Sequence, residues 1–99
     1  ARTTIGSDVS IGHNATVHGC VLRDRCLIGM GATIMDNAVI ESNVIIAAGA
    51  VVLENTRTES GWIYAGIPAK KIKRLSEKDA TELILNTANN YLKYKGWYR

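Results

Sequence analysis

Residues 27–53 read LIGMGATIMDNAVIESNVIIAAGAVVL, and the fold is decided there. Large aliphatic residues stand at every sixth position, at Ile28, Ile34, Ile40, Ile46 and Val52. A small or modest residue follows four positions after each of the first four anchors, at Ala32, Ala38, Val44 and Ala50. At 3.6 residues per turn a six-residue repeat wanders round a helix and makes no stripe. A half-buried strand needs a period of two, which six contains, but that leaves the regular small residue without a reason. A triangular solenoid explains both. Each hexad is a short strand and a corner, with the aliphatic anchor inward and the small residue fitting the corner.

Upstream the pattern continues through anchors Ile5, Ile11, Val17 and Leu22, with Val9, Ala15, Val21 and Cys26 at the small positions. The step from Val17 to Leu22 is five residues, whereas every other step is six. Three hexads complete a coil, so Ile5 to about Leu53 makes nearly three coils. The expected class is an all-β solenoid, a left-handed parallel β-helix of hexapeptide repeats with a C-terminal α-helix. Residues 1–75 hold the coils and a connector, and residues 76–96 an amphipathic helix of the same domain. Ser76 and Asp79 have the spacing of a capping box, and Ala80, Leu83, Ile84, Thr87, Ala88, Tyr91 and Leu92 share one helical face. Gly96 is a natural stop. Stacked coils need neighbours above and below. The pattern is already running at Ala1 with no cap before it, so further coils are expected upstream, as part of a longer protein.

The composition narrows the function classes. The chain has 99 residues, a net charge of +3, no Phe and a single Pro. Ile, Val, Ala and Leu dominate, which suits a core of many similar small layers. The one dense basic run, Lys70, Lys71, Lys73 and Arg74, has no interleaved aromatic residues to stack bases, and nucleic acid is not an expected partner. Cys20 and Cys26, six apart, match no disulfide framework, redox pair or zinc finger and read as packing residues. Free thiols and the lack of a secretory signal point to the cytoplasm. Asp36, Asn37, Glu41, Ser42 and Asn43 interrupt the apolar run 27–53, so no membrane span is expected.

The chain has two histidines, His13 and His18, neither at an inward anchor nor at a small position. Both should point outward, from adjacent faces either side of a corner. The outward normals of adjacent prism faces diverge by roughly 120°, so the two imidazoles of one chain cannot easily grip one ion. If prisms pack around a threefold axis, His13 of one subunit and His18 of the next can share a metal. Neutral imidazoles suit zinc, and a catalytic zinc usually has three protein ligands and a water. The bland alternative is a pair of surface histidines.

The segments Ile11-Gly12-His13, Val17-His18-Gly19-Cys20 and Leu27-Ile28-Gly29-Met30-Gly31-Ala32 resemble the γ-class carbonic anhydrase family. Ala47-Ala48-Gly49-Ala50 and Ala65-Gly66-Ile67-Pro68-Ala69-Lys70 match it as well. The repeat and the Gly-Ile-Pro-Ala-Lys segment are shared with hexapeptide acyltransferases, whereas the HxxxxHG spacing leading into IGMGA is more specific. The resemblance implies a homotrimer that hydrates CO2 reversibly to bicarbonate with metal-generated hydroxide. The metal would be Zn2+, or Fe2+ in some members, bound between subunits by three histidines from two chains. His13 and His18 match the second and third ligands. The first is expected upstream of Ala1, either attached or retained as a separate N-terminal piece. Tyr64 stands where some members place a tyrosine near the metal-bound solvent. Arg23 replaces a common corner glycine. The rival readings are a noncatalytic trimeric scaffold and a CoA-dependent acyltransferase using a histidine as general base without metal.

Overall fold

The computed structural model describes residues 2–79. Nine two-residue strands follow one another: β1 (Thr4–Ile5), β2 (Ser10–Ile11), β3 (Thr16–Val17), β4 (Val21–Leu22), β5 (Leu27–Ile28), β6 (Thr33–Ile34), β7 (Val39–Ile40), β8 (Ile45–Ile46) and β9 (Val51–Val52). Every third strand pairs in parallel with the one a coil below. A first face is ordered β1-β4-β7, a second carries β2-β5-β8, and a third is ordered β3-β6-β9. Every strand thus lies within one coil of the solenoid expected from the repeat. The second face continues into β10 (Trp62–Ala65), parallel to β8, and β11 (Lys70–Arg74), antiparallel to β10.

The inward column is the core. Leu22, Ile28, Ile34, Ile40, Ile46 and Val52 are all at most 1% exposed, as are the small residues Cys26, Ala32, Ala38, Val44 and Ala50. In the lowest coil the column opens: Ile5 is 51% exposed and Ile11 and Val17 are half-buried. One expected small position shifts by a residue. Cys20, at 1% exposure, faces inward where Val21 was expected, and Val21 is half-buried on its strand. The residue missing from the Val17–Leu22 step is therefore lost from the corner, between the anchor and the turn.

Each corner bends through one residue at positive φ, just before the small residue: Asp8, Asn14, Gly19, Arg25, Gly31, Asn37, Asn43, Gly49, Asn55 and Gly61. Asn, Asp and Gly tolerate this left-handed conformation better than other residues, so the corner is written into the sequence as a second six-residue signal. Arg25 breaks that rule, and its Nε donates to Asn43 Oδ1 in the corner above at 3.0 Å. Arg23, in the same corner, has its Nε 3.6 Å from Glu41 Oε1.

The repeat also runs one coil further than the aliphatic anchors. Thr58 stands six residues after Val52 and is 2% exposed, and Tyr64 stands six further on and belongs to the inward cluster. Thr58 Oγ1 accepts the Glu41 N–H at 2.9 Å, and Tyr64 lies directly over Ile46. The three faces differ outside. On the second, Leu27, Ile45 and Ile63 precede inward anchors and so point outward, yet each is fully buried. On the third, Thr16 is exposed and Thr33 and Val51 are half-buried. On β10 and β11, Lys71 and Arg74 lie over the Trp62 ring at 4.8 and 5.1 Å, and Glu59 binds both Trp62 Nε1 and Lys71 Nζ. That edge of exposed cations discourages pairing with another strand.

Ser76 and Asp79 make the reciprocal capping bonds: Asp79 N–H donates to Ser76 Oγ at 3.0 Å, and Ser76 N–H to Asp79 Oδ2 at 3.3 Å. A helix begins at 77–79, and the remainder of the expected helix 76–96 lies outside the described residues. Among the described residues no helix is long and apolar enough to cross a membrane.

Candidate functional site

His13 lies in the corner between β2 and β3, and His18 in the corner between β3 and β4. Both are exposed. The expectation of adjacent faces about one corner is corrected: the two histidines mark opposite ends of the same third face. The physical reason is that they stand five positions apart, almost a whole hexad, so the chain passes from one corner to the next.

His13 is held at its corner by backbone geometry. Gly12 is buried before it, and a Cβ on Gly12 would lie 2.7 Å from Met30 N and 2.9 Å from Met30 Cα, too close for any side chain. Gly12 N–H donates to Ile28 O at 2.8 Å, and His13 O accepts the Gly31 N–H at 2.9 Å. The corner is thereby pressed onto the coil above while the imidazole stays outside.

His18 sits in the shortened corner. Its Nδ1 is 3.3 Å from Asp36 Oδ1, one coil up. Together with Thr16, Thr33, Ile34, Met35 and Glu54, these two side chains line a shallow groove of about 260 Å3 along the third face. Sequence reasoning missed Asp36 and Glu54. The signal was available: Asp36 lies 18 residues after His18 and Glu54 a further 18, three hexads each, so the three stack in one corner column.

Tyr64 is not brought to this face. It is the inward residue of the fourth coil on the second face, 7% exposed, and its hydroxyl accepts the Glu59 N–H at 2.7 Å. The stack β2-β5-β8-β10 puts it three coil steps above the β2 layer that leads to His13, about 14 Å at about 4.8 Å per step. Residue 64 continues the inward series 28, 46, 64 within this chain.

The two cysteines take packing positions. Burial pushes the Cys26 thiol up to about 12, and its Sγ lies 3.0 Å from Glu41 O. Burial also raises Cys20. Among the described residues no three His, Cys, Asp or Glu side chains converge as a metal-binding group. The donors present are imidazoles on exposed corners, which fit zinc or iron chemically but supply only part of a ligand set.

Comparison with known proteins agrees with this architecture. The bacterial transferase hexapeptide family (six repeats) matches residues 2–34 and 19–54. Protein YrdA of Escherichia coli strain K12 is 45% identical over 95 residues, covering 96% of this chain and 51% of that protein. Gamma carbonic anhydrase 1, mitochondrial, of Arabidopsis thaliana is 44% identical over 89 residues, covering 90% of this chain and 32% of that protein. The crystal structure of a hexapeptide transferase family protein from Anaplasma phagocytophilum superposes with a TM-score of 0.80 at 29% identity, covering 96% of this chain and 61% of that one. The chain thus spans about half the length of YrdA and a third of the plant protein. With its repeats, its corners and these matches together, the chain belongs to the hexapeptide-repeat family and has γ-carbonic anhydrases among its homologues.

Proposed function

We propose that the whole protein is a γ-carbonic anhydrase-like metalloprotein that interconverts CO2 and bicarbonate at sites shared between the subunits of a homotrimer. This chain contributes His13 and His18, each to a different site, and the third imidazole comes from residues upstream of Ala1. The observation that carries the reading is the placement of two exposed imidazoles at opposite ends of one face. Two ligands of one zinc lie within about 4 Å of each other, given bonds of about 2.0–2.1 Å. Packing about a threefold axis meets that requirement by bringing the His13 end of the face in one subunit against the His18 end in the next. The homology to plant γ-carbonic anhydrases supports the same reading.

Zn2+, or Fe2+, in such a site would lower the pKa of water toward about 7 and so supply the nucleophile for CO2. The chain's own residues hold and shape. His13 is fixed by the contact of Gly12 with Met30, and His18 by Asp36. The apolar parts of Thr16, Thr33 and Met35 give the groove surface suited to an uncharged gas. The carboxylates of Asp36 and Glu54 in that groove disfavour retention of anionic bicarbonate.

The structural likeness to a hexapeptide transferase family protein supports acyl transfer as the second reading, in which a histidine serves as base without metal. A noncatalytic trimeric scaffold is the third. Native mass spectrometry of the full-length protein, with metal retained, separates them, followed by stopped-flow CO2 hydration. The expected result is a trimer with zinc or iron at its sites, hydration activity, and loss of metal in both His13→Ala and His18→Ala. A metal-free protein after purification in zinc overturns the reading, and turnover of acetyl-CoA by that protein would favour the transferase. Full metal loading without hydration would favour the scaffold.

A further inference from the structure

His18 reaches Asp36 because its corner is one residue short. Below the corner, Val17 pairs with Ile34, an offset of 17 residues. Above it, Val21 pairs with Val39, an offset of 18, and Asn37 N–H already donates to Gly19 O across 18. The change of offset falls at His18. In a full six-residue step, the residue after Val17 would lie opposite Met35, and an additional residue would lie opposite Asp36. The deletion therefore brings His18 under a carboxylate instead of a thioether.

A carboxylate is an acceptor, so the Nδ1···Oδ1 contact of 3.3 Å is a hydrogen bond when Nδ1 carries the proton. Nε2 then keeps its lone pair. Both side chains are open to solvent, 73% for His18 and 48% for Asp36, and an exposed pair of this kind adds little to stability. Its consequence is orientation and choice of tautomer.

We infer that Asp36 is the positioning residue for His18: it holds the ring in the Nδ1–H tautomer and leaves Nε2 as the nitrogen offered to a metal. The inference rests on the metal-site reading above and adds to it the residue on which affinity depends. A carboxylate behind a ligating imidazole fixes the ring and raises its basicity, and removing such a partner costs about 10- to 100-fold in affinity.

The test uses the full-length protein and two independent readouts. In metal-free protein with 15N-labelled histidine, long-range 1H–15N spectra above the imidazole titration should show His18 protonated at Nδ1. In Asp36→Ala this preference should be lost. Zinc affinity, read by competition with a chromophoric chelator, should fall about 10- to 100-fold in Asp36→Ala. Asp36→Asn, which keeps an acceptor oxygen without the charge, should fall between Asp36→Ala and the parent protein. A merely structural role would leave the tautomer signal in place. His18 protonated at Nε2 in the parent protein, or a zinc affinity within twofold of the parent in a folded Asp36→Ala, overturns the inference. If Asp36→Ala does not fold, the parent's tautomer and the Asp36→Asn affinity decide. Zinc bound equally with and without Asp36 removes only this inference, whereas no zinc bound by the parent protein removes the metal site as well.

Discussion

Gly29 and Gly31 lie two residues apart in the corner between β5 and β6, and their substitution tests two different constraints on a stacked coil. A Cβ on Gly29 would lie 2.5 Å from Ala48 N and 2.8 Å from Ala47 C and Ala48 Cα. Ordinary contact is about 3.5 Å, so the two coils would have to separate by about 1 Å. They are tied together there by Gly29 N–H to Ile46 O at 2.7 Å and Gly49 N–H to Met30 O at 2.9 Å. All the atoms met are backbone, so no side chain can swing away. The expected cost of Gly29→Ala is that of overpacking, about 1–3 kcal/mol. Gly31 is the opposite case. Nothing lies within 4 Å of its added Cβ, but its φ is +69°. Alanine there costs about 1–2 kcal/mol of left-handed strain. Asparagine should be nearly neutral, because Asn37, Asn43 and Asn55 already serve as corners. Urea denaturation of the full-length protein reads the difference. At a slope of about 2 kcal/mol per molar, a loss of about 2 kcal/mol moves the midpoint by about 1 M. Gly29→Ala and Gly29→Asn should both fall by about that amount, while Gly31→Asn recovers what Gly31→Ala loses. A midpoint for Gly29→Ala within about 0.2 M of the parent, or no recovery in Gly31→Asn, would refute the reasoning.

Cys26 provides a pH dependence. The folded thiol is raised from 9.0 to about 12, so above pH 9 the unfolded chain gives up a proton that the folded chain retains. This contribution is fully present below pH 9 and is lost as pH rises toward 12, at about 1.4 kcal/mol per unit. Urea midpoints at pH 8, 9.5 and 10.5 should fall less steeply in Cys26→Ala, and parallel slopes would count against the assignment. Tyr64→Phe removes the acceptor of the Glu59 N–H and should cost about 0.5–1.5 kcal/mol in urea while leaving zinc affinity unchanged. A selective loss of zinc in that variant would return Tyr64 to the metal site.

The inward anchors of the first three coils were legible because aliphatic burial repeats strictly with the strands. The fourth coil was not, because Thr58 and Tyr64 fill inward positions with residues that carry no aliphatic signal. Val21 was assigned inward by counting four from Val17, but the deletion falls between that anchor and the turn, and Cys20 takes the position. The positive-φ series of Asn, Asp and Gly would have located that deletion, had the corners been counted as well as the anchors.

The sequence by itself determined the solenoid, its inward column and the exposure of both histidines, since each follows from which residues avoid water and at what period. Contacts between residues 17 and 18 positions apart belonged to the tertiary structure alone. Whether His18 meets Met35 or Asp36 depends on how one missing corner residue is absorbed between stacked coils. Whether His13 and His18 share a corner or span a face depends on where the strands begin. Both are matters of register, and register is set by the coils packing on one another, not by any residue's own preference.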